Sequence, residues 1–316
     1  MTRPFIRPDV AALLALLETS GRPPLNQFDP PAARAGSNAA RAVMEVELGE
    51  LAVIRDFVIP GPAGPVAARL FDAAAERDAG ELIIYFHGGG FVVGDLDSHA
   101  PLCADLSRLM ELPVIAVDYR LAPEHPFPAG PDDAIAAARW LAAHSGEVGR
   151  RATRIVLMGD SAGANLALLA AIDLRDAPAA VPVAAQGLIY PVTGPVAPEG
   201  SGLDFAAGYF LTRPLMAWFD GHYAPKLGDW RHETHLRGAH GLPPTAIITA
   251  SLDPLRDQGR ALAAALAGHG VDSIYLEARG TIHGFATMRR LVPSAQRDIE
   301  RLTTALKLLL ERGGED

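Results

Sequence analysis

Short apolar segments alternate with helical segments over most of the chain, and this alternation constrains the fold more than any other feature. The apolar segments are continuous, as in Leu-Ile-Ile-Tyr-Phe at 82–86, with few polar residues between. Strands buried on both faces have this pattern, and parallel strands joined by helical crossovers produce it. We therefore expect an α/β fold with a mostly parallel sheet flanked by helices. The predicted strands are 82–86, 114–118, 155–158, 185–190, 245–250 and 273–277, and the predicted helices are 98–110, 132–144, 162–175, 255–268 and 294–311.

Segments outside this alternation have other patterns. Residues 51–59 and 66–72 flank a turn rich in Pro and Gly, so we expect an antiparallel hairpin. Residues 18–42 are rich in Pro, Gly and Ala and are interpreted as an irregular connection. The alternation stops between about 191 and 244, a stretch that contains two of the three tryptophans, Trp218 and Trp230. We interpret it as a lid packed against an N-terminal helix.

Composition excludes several classes of protein. Of 316 residues, 49% are apolar and 21% are charged, which is typical of a globular chain rather than a disordered one. The net charge of −9 gives no basic surface for nucleic acid. The single cysteine, Cys103, permits neither an internal disulfide nor a zinc cluster.

The apolar run at 10–17 is the candidate for a targeting segment. It lies between Asp9 and Glu18 and lacks a convincing cleavage site. Helical spacing puts Val10, Leu13, Leu14 and Leu17 on one face, which favours an amphipathic helix over a signal peptide. Since no stretch of about 18 apolar residues occurs, we expect no membrane span and a cytoplasmic protein.

Ser161 lies in the pentapeptide Gly-Asp-Ser-Ala-Gly at 159–163, between a predicted strand and a predicted helix. This context is typical of a nucleophile elbow, in which a sharp turn lifts the serine hydroxyl clear of the sheet. The glycines remove bulk around the turn, and the helix that follows directs its positive end at the same point. The alternative is a glycine-rich turn with a helix-capping serine.

Three glycines follow His87 at the end of another predicted strand. Such a loop exposes backbone N–H groups, which suit a developing oxyanion. A phosphate loop is the alternative, but the Gly-x-Gly-x-x-Gly spacing fails because position 93 is valine. We expect His87 to orient the loop by hydrogen bonding rather than to transfer protons.

A serine nucleophile needs a histidine base and an acid that orients it, and in elbows of this kind both follow the serine. Asp253 comes directly after the predicted strand 245–250, at the expected edge of the sheet. Of the two later histidines, His269 ends a helix, whereas His283 follows the strand 273–277 by a short loop. We therefore assign Asp253 as the acid and His283 as the base.

Some alternatives stay open. Asp253 precedes Pro254 and could simply cap a helix, in which case Asp257, four residues later, would be the acid. His232 and His235 hint at a metal site, but their spacing is not His-Glu-x-x-His, so we interpret them as part of a lid loop and expect no metal.

Taken together, these motifs resemble the bacterial hormone-sensitive-lipase-like (family IV) carboxylesterases. The similarity runs through about residues 51–312 and is carried, in order, by 87–90, 94–99, 118–129, 159–163, 253–257 and 283–285. It implies an α/β-hydrolase fold of about eight strands with a helical cap. The implied organisation is 1–50 as the N-terminal part of the cap, 51–190 and 245–316 as the catalytic core, and 191–244 as the cap insertion.

The resemblance also implies roles for residues. Ser161 is then the nucleophile, with His283 as its base and Asp253 as the orienting acid. The oxyanion donors implied by the family pattern are the backbone N–H groups of Gly89, Gly90 and Ala162, supported by His87 and Gly88. Phe91 stands where the family commonly carries Trp, and both would form an aromatic wall of the substrate pocket.

The sequence therefore predicts a serine carboxylesterase that hydrolyses short- to medium-chain esters through an acyl-enzyme, without a cofactor. A small-molecule ester is the expected partner, and the resemblance allows a homodimer. Amide hydrolysis, arylformamide hydrolysis or deacetylation of a natural product would use the same triad. A non-catalytic receptor on this fold is a further alternative, but it would be expected to lack a triad residue.

Overall fold

One eight-stranded sheet forms the centre of the protein, and the computed structural model describes residues 4–313. Its order is β1-β2-β4-β3-β5-β6-β7-β8. Strand β2 pairs antiparallel with both of its neighbours, β1 and β4, and all the other neighbouring strands pair in parallel. The strands are β1 Val53–Gly61, β2 Gly64–Asp72, β3 Gly80–Phe86, β4 Val114–Asp118, β5 Ala152–Asp160, β6 Val183–Ile189, β7 Thr245–Leu252 and β8 Ser273–Ile282. The predicted mostly parallel α/β sheet and the predicted hairpin of β1 and β2 are confirmed.

Helices cover both faces of the sheet. They are α1 Pro8–Thr19, α2 Pro30–Met44, α3 Leu96–Met110, α4 Ala129–His144, α5 Ala162–Asp176, α6 Ser201–Asp204, α7 Arg213–Tyr223, α8 Arg256–Gly268 and α9 Ser294–Arg312. One hydrophobic cluster joins the sheet to α4, α5 and α8, and a second joins its other face to α1, α3 and α9. The continuous apolar strands fit this arrangement, because both of their faces are covered.

The N-terminal segment differs from its prediction in two respects. Residues 18–42, expected to be irregular, contain most of α2, because Asp29 accepts a hydrogen bond from the Ala32 N–H at 2.9 Å and Pro30 opens the first turn. The helix predicted at 10–17 is present as α1, but only part of its apolar face is buried. Val10 and Leu13 enter the core, whereas Leu17 is 37% exposed.

Between β6 and β7 the chain leaves the sheet, as predicted for residues 191–244. This stretch contains α6, α7 and a short 3-10 helix at Thr234–Arg237. Helix α7 contacts the short turn Leu25–Gln27 that precedes α2. Within residues 4–313, no helix combines the length and the apolarity needed to cross a bilayer.

A buried arginine ties the end of α2 to the segment after β8. The Arg289 side chain is fully buried; its Nε donates to Glu45 Oε1 at 2.7 Å, and the Arg289 backbone N–H donates to Glu45 Oε2 at 3.0 Å. Asp105 of α3 accepts from the same guanidinium. Removing one member of such a group leaves the other charges buried and uncompensated.

We expect Arg289→Ala to lower the free energy of unfolding by about 3–5 kcal/mol, since Glu45 then stays buried without its partner. Urea denaturation followed by circular dichroism measures this change. The matched control is Arg290→Ala, which removes a half-exposed side chain 3.9 Å from the exposed Glu47 and should change stability by less than about 0.5 kcal/mol. Equal losses of stability in the two variants would contradict the conclusion that burial of the Arg289 charge group accounts for the effect.

Candidate active site

Ser161 sits at the sharp turn between β5 and α5. Its backbone has φ 54° and ψ −118°, a strained conformation for a residue with a side chain. The turn requires glycine on both sides. A Cβ on Gly163 would lie 2.0 Å from the carbonyl oxygen of Phe86, and a Cβ on Gly159 would lie 2.3 Å from the Gly163 carbonyl oxygen. The first turn of α5 therefore lies directly against the end of β3.

The structure brings Ser161, His283 and Asp253 together. The distance from Ser161 Oγ to His283 Nε2 is 2.8 Å, and His283 Nδ1 lies 2.7 Å from Asp253 Oδ2. All three side chains are buried, and Asp253 is 0% exposed. With the proton on Nδ1 donated to the carboxylate, Nε2 is free to accept the proton of the serine hydroxyl.

Each oxygen of Asp253 has its own partner. Oδ2 faces His283, while Oδ1 accepts from the Leu255 N–H at 2.8 Å. The Asp253 carboxylate therefore contacts the residue before α8 and faces His283 at the same time. Asp257, the alternative acid, points elsewhere and accepts from the Ser201 N–H at 2.8 Å.

His283 follows β8 directly. The strand extends to Ile282, five residues beyond its predicted end, so the expected short loop is absent. The Tyr190 ring packs on the imidazole with ring centroids 4.5 Å apart. His269 ends α8 beside His240, and His232 packs near Tyr223 in the stretch between β6 and β7.

The glycine loop after β3 lines the same cavity as Ser161 and His283. Gly89 and Gly90 have φ of 126° and 60°, values that favour glycine. Within residues 4–313, the N–H groups of Gly89, Gly90 and Ala162 donate to no protein acceptor. Phe219 of α7 packs against Gly90, where an added Cβ would lie 2.3 Å from the ring.

His87 lies directly against this loop. Its Nδ1 lies 2.8 Å from the Gly88 carbonyl oxygen, and its ring stacks on Tyr119 at 4.4 Å. Burial, together with the nearby His99, lowers the pKa of His87 to about 3, so the ring is neutral. The loop continues into Phe91, which stacks on Tyr223 at 3.9 Å and lines the adjoining cavity.

Asp160, which precedes the serine, was missed as a functional candidate in the sequence. Its Oδ1 accepts from the Gly88 N–H and from the Tyr85 hydroxyl, both at 2.7 Å, and His99 Nε2 lies 3.2 Å away. Burial raises the pKa of Asp160, but His99 and the charge of Arg41 outweigh it and hold that pKa well below its usual range. The available signal was an acidic residue, separated by one glycine from the fully apolar run 155–158 and next to the candidate nucleophile.

A cavity of about 1380 Å³ opens beside Ser161. Its walls come from the N-terminal segment, from the glycine loop and from the stretch between β6 and β7. Most of the lining side chains are apolar, including Leu14, Met44, Leu215, Met216 and Met288. Such a cavity next to a polar cluster suits a small molecule with a polar reacting group.

Comparisons with known proteins agree with this geometry. The family model described as alpha/beta hydrolase fold matches residues 83–287. Esterase LipI of Mycobacterium tuberculosis is 38% identical over 270 residues, covering 83% of this chain and 83% of that protein. Ethyl acetate hydrolase of Pseudomonas putida is 33% identical over 314 residues, covering 96% of this chain and 98% of that protein.

Solved structures are also similar. An alpha/beta hydrolase enzyme from the metagenome of Lake Arreo, Spain, has a TM-score of 0.91 and 35% identity, covering 98% of this chain and 99% of that one. A thermostable esterase from Pseudomonas putida has a TM-score of 0.90 and 30% identity, with the same coverage. At this identity and coverage, the likeness extends to the family as well as to the fold.

The close approach at the elbow predicts a contrast between two glycines in helices. Gly163→Ala should lower the free energy of unfolding by at least about 1–3 kcal/mol and reduce hydrolysis, because the new Cβ overlaps a backbone oxygen of β3. Gly221→Ala, in the exposed part of α7, meets no atom within 4 Å and should instead stabilise the protein by up to about 1 kcal/mol. Thermal denaturation of both variants measures these changes in stability. Equal changes in Tm would refute the predicted contrast.

Proposed function

Because the chain belongs to the hormone-sensitive-lipase-like carboxylesterases of the α/β-hydrolase superfamily, and is a carboxylic ester hydrolase, we propose that Ser161, His283 and Asp253 are its catalytic triad. The observation that carries this proposal is the continuous hydrogen-bond path at the elbow. It runs from Ser161 Oγ to His283 Nε2 over 2.8 Å and from His283 Nδ1 to Asp253 Oδ2 over 2.7 Å. This is the arrangement required of a nucleophile, a base and the group that orients the base.

In the first half of the reaction, Ser161 Oγ attacks the ester carbonyl carbon while His283 Nε2 takes the hydroxyl proton. The carboxylate of Asp253 stabilises the imidazolium that forms and keeps the proton on Nδ1. The C–O bond to the alcohol then breaks, and the alcohol leaves with the proton from Nε2. The product of this half is an acyl-enzyme on Ser161.

The negative oxygen of the tetrahedral intermediate is assigned to the backbone N–H groups of Gly89, Gly90 and Ala162. Ala162 opens α5, so the positive end of a 15-residue helix adds to the local field. Each preorganised donor of this kind contributes about 2.7–4 kcal/mol to the transition state. The supporting roles of His87 and Gly88 in holding this loop belong to the same proposal.

In the second half, water takes the place of the alcohol. His283 Nε2 removes a proton from the water, whose oxygen attacks the acyl carbon, and the same N–H groups hold the oxyanion. Collapse of the intermediate breaks the bond to Ser161 Oγ, which recovers its proton from Nε2. The carboxylic acid leaves and the free enzyme is restored.

The substrates we propose are short- to medium-chain esters. The likeness to ethyl acetate hydrolase supports a small acyl group, and the apolar cavity supports uncharged substituents. We assign residues 1–50 and 191–244 to a cap over the core at 51–190 and 245–316, with Phe91 in the pocket wall. The homodimer that the family resemblance allows is part of the same proposal.

Hydrolysis of p-nitrophenyl esters from acetate to palmitate tests the function. We expect turnover with an optimum at short or middle chains, and Ser161→Ala should lower kcat by at least about 10⁴-fold without loss of the fold, since the nucleophile is gone. Circular dichroism of the variant is the control. A folded wild type that hydrolyses no ester of the series, or a Ser161→Ala variant with normal turnover, would refute the proposal.

The orienting acid can be tested with two neighbouring aspartates. Asp253→Asn should lower kcat by up to about 10⁴-fold, because the amide no longer fixes the tautomer or stabilises the imidazolium. Asp257→Asn is the matched control: this carboxylate contacts Ser201 and Arg256, so kcat should change far less. The reverse ranking in steady-state kinetics would transfer the role to Asp257.

A further inference from the structure

A buried polar chain connects the N-terminal helix α2 to the elbow without passing through the triad. It contains Arg41 of α2, His99 of α3 and Asp160 at the end of β5. His99 is 1% exposed and Asp160 is 3% exposed. The hydrolysis mechanism described above makes no use of Arg41 or His99.

Asp160 fixes the glycine loop to the elbow. Its backbone precedes the nucleophile, and its Oδ1 accepts from the Gly88 N–H at 2.7 Å. Gly88 and Asp160 pack so closely that a Cβ on Gly88 would lie 2.3 Å from Asp160 Oδ2. Gly88 is followed directly by the two glycines assigned to the oxyanion. The orientation of this carboxylate therefore sets where their N–H groups point.

His99 fixes that carboxylate in turn. Its Nε2 lies 3.2 Å from Asp160 Oδ1, and Arg41 Nη1 lies 2.8 Å from its Nδ1 and 3.1 Å from its Nε2. Ser98 Oγ also lies 3.0 Å from Nδ1. Because an ionised carboxylate only accepts, the ring proton resides on Nε2 and is donated to Asp160, and Nδ1 is left to accept from Arg41. Burial and the charge of Arg41 lower the pKa of His99, which keeps the ring in this neutral form.

We propose that Arg41 is a positioning residue for the oxyanion loop, acting through His99 and Asp160. This inference rests on the proposed function, because it assumes that Gly89 and Gly90 hold the oxyanion. Docking of α2 delivers the cation that holds the His99 ring and offsets the buried Asp160 charge. Hydrolysis then depends on the N-terminal helix for the geometry of the oxyanion site as well as for the wall of the cavity.

The physical reason is the sensitivity of the oxyanion site to small displacements. Without Arg41, the His99 ring loses the donor that holds its orientation, and the buried Asp160 loses the nearby charge that offsets its own. The Gly88 anchor then loosens, and a misplacement of about 1 Å at donors of this kind costs up to about 100-fold in rate. Substrate binding in the apolar cavity needs no such precision.

The test compares Arg41→Met with the wild type in kcat and KM for p-nitrophenyl butyrate and in Ki for a trifluoromethyl ketone, which forms a tetrahedral adduct. We expect kcat to fall about 10- to 100-fold with KM within about twofold, and the ketone Ki to rise by the same factor as kcat falls. Arg41→Lys, which retains a cation, should recover part of the loss. A normal kcat, or a loss confined to KM, would overturn the proposal.

Arg108→Met is the matched control. Arg108 also joins the N-terminal part of the chain to α3, donating to the Leu48 carbonyl oxygen at 3.1 Å, but it makes no contact with His99 or Asp160. Its kcat should stay within about twofold of the wild type. A loss of kcat equal to that of Arg41→Met would mean that any weakened docking suffices, and the specific role of Arg41 would be wrong.

His99→Leu breaks the chain in the middle while leaving α2 intact, because leucine neither donates to Asp160 nor accepts from Arg41. It therefore tests the proposal even if Arg41→Met fails to fold. It should also lower kcat with KM unchanged. If Arg41 acts through His99, the double variant loses no more activity than the worse single variant. Additive losses would overturn the inference.

Ser161→Ala separates the two proposals. Normal turnover in that variant refutes the triad, whereas an inactive Ser161→Ala beside a normal Arg41→Met refutes only the role of Arg41.

Discussion

The contact between the first turn of α5 and the end of β3 determines the rest of the site. Phe86 and Gly163 lie so close that only glycine fits at 163, and the turn between β5 and α5 holds Ser161 at φ 54°. That conformation puts the hydroxyl and the start of α5 at one point, beside the loop that follows β3. The strain is tolerated because parallel pairing of β5 with its neighbours β3 and β6 holds the strand end of the turn, and burial of α5 in the core holds the helix end.

Buried charges around this turn are compatible with folding because each has several partners. Asp253 divides its oxygens between His283 and a backbone N–H, and Asp160 accepts from a hydroxyl, a backbone N–H and His99. A buried carboxylate with one partner would gain protons or destabilise the fold. The several partners fix the orientation of both carboxylates, which the proposed chemistry needs.

The sequence predicted the sheet, the hairpin and most helices because strand burial and helix periodicity are local signals. The three groups Ser161, Asp253 and His283 were also found, since strand ends in a parallel sheet meet at one edge. Helix α2 was missed because a Pro- and Gly-containing stretch gives a weak pattern until Asp29 is seen to cap it. The chain from Arg41 to Asp160 could not be predicted, because it joins residues far apart that no spacing rule connects.

Helices α7 and α2 reach the glycine loop by different physical means. Phe219 of α7 packs directly on Gly90, so the loop cannot move toward the cavity without displacing an aromatic ring. Arg41 of α2 acts on the neighbouring Gly88 through hydrogen bonds and charge. Packing of Phe219 limits displacement of the glycine loop, while the chain from Arg41 to Asp160 sets the orientation of the loop. A change of substrate range through these two helices would therefore alter rate as well as affinity, because residues that line the cavity also contact the loop whose N–H groups are proposed to receive the oxyanion.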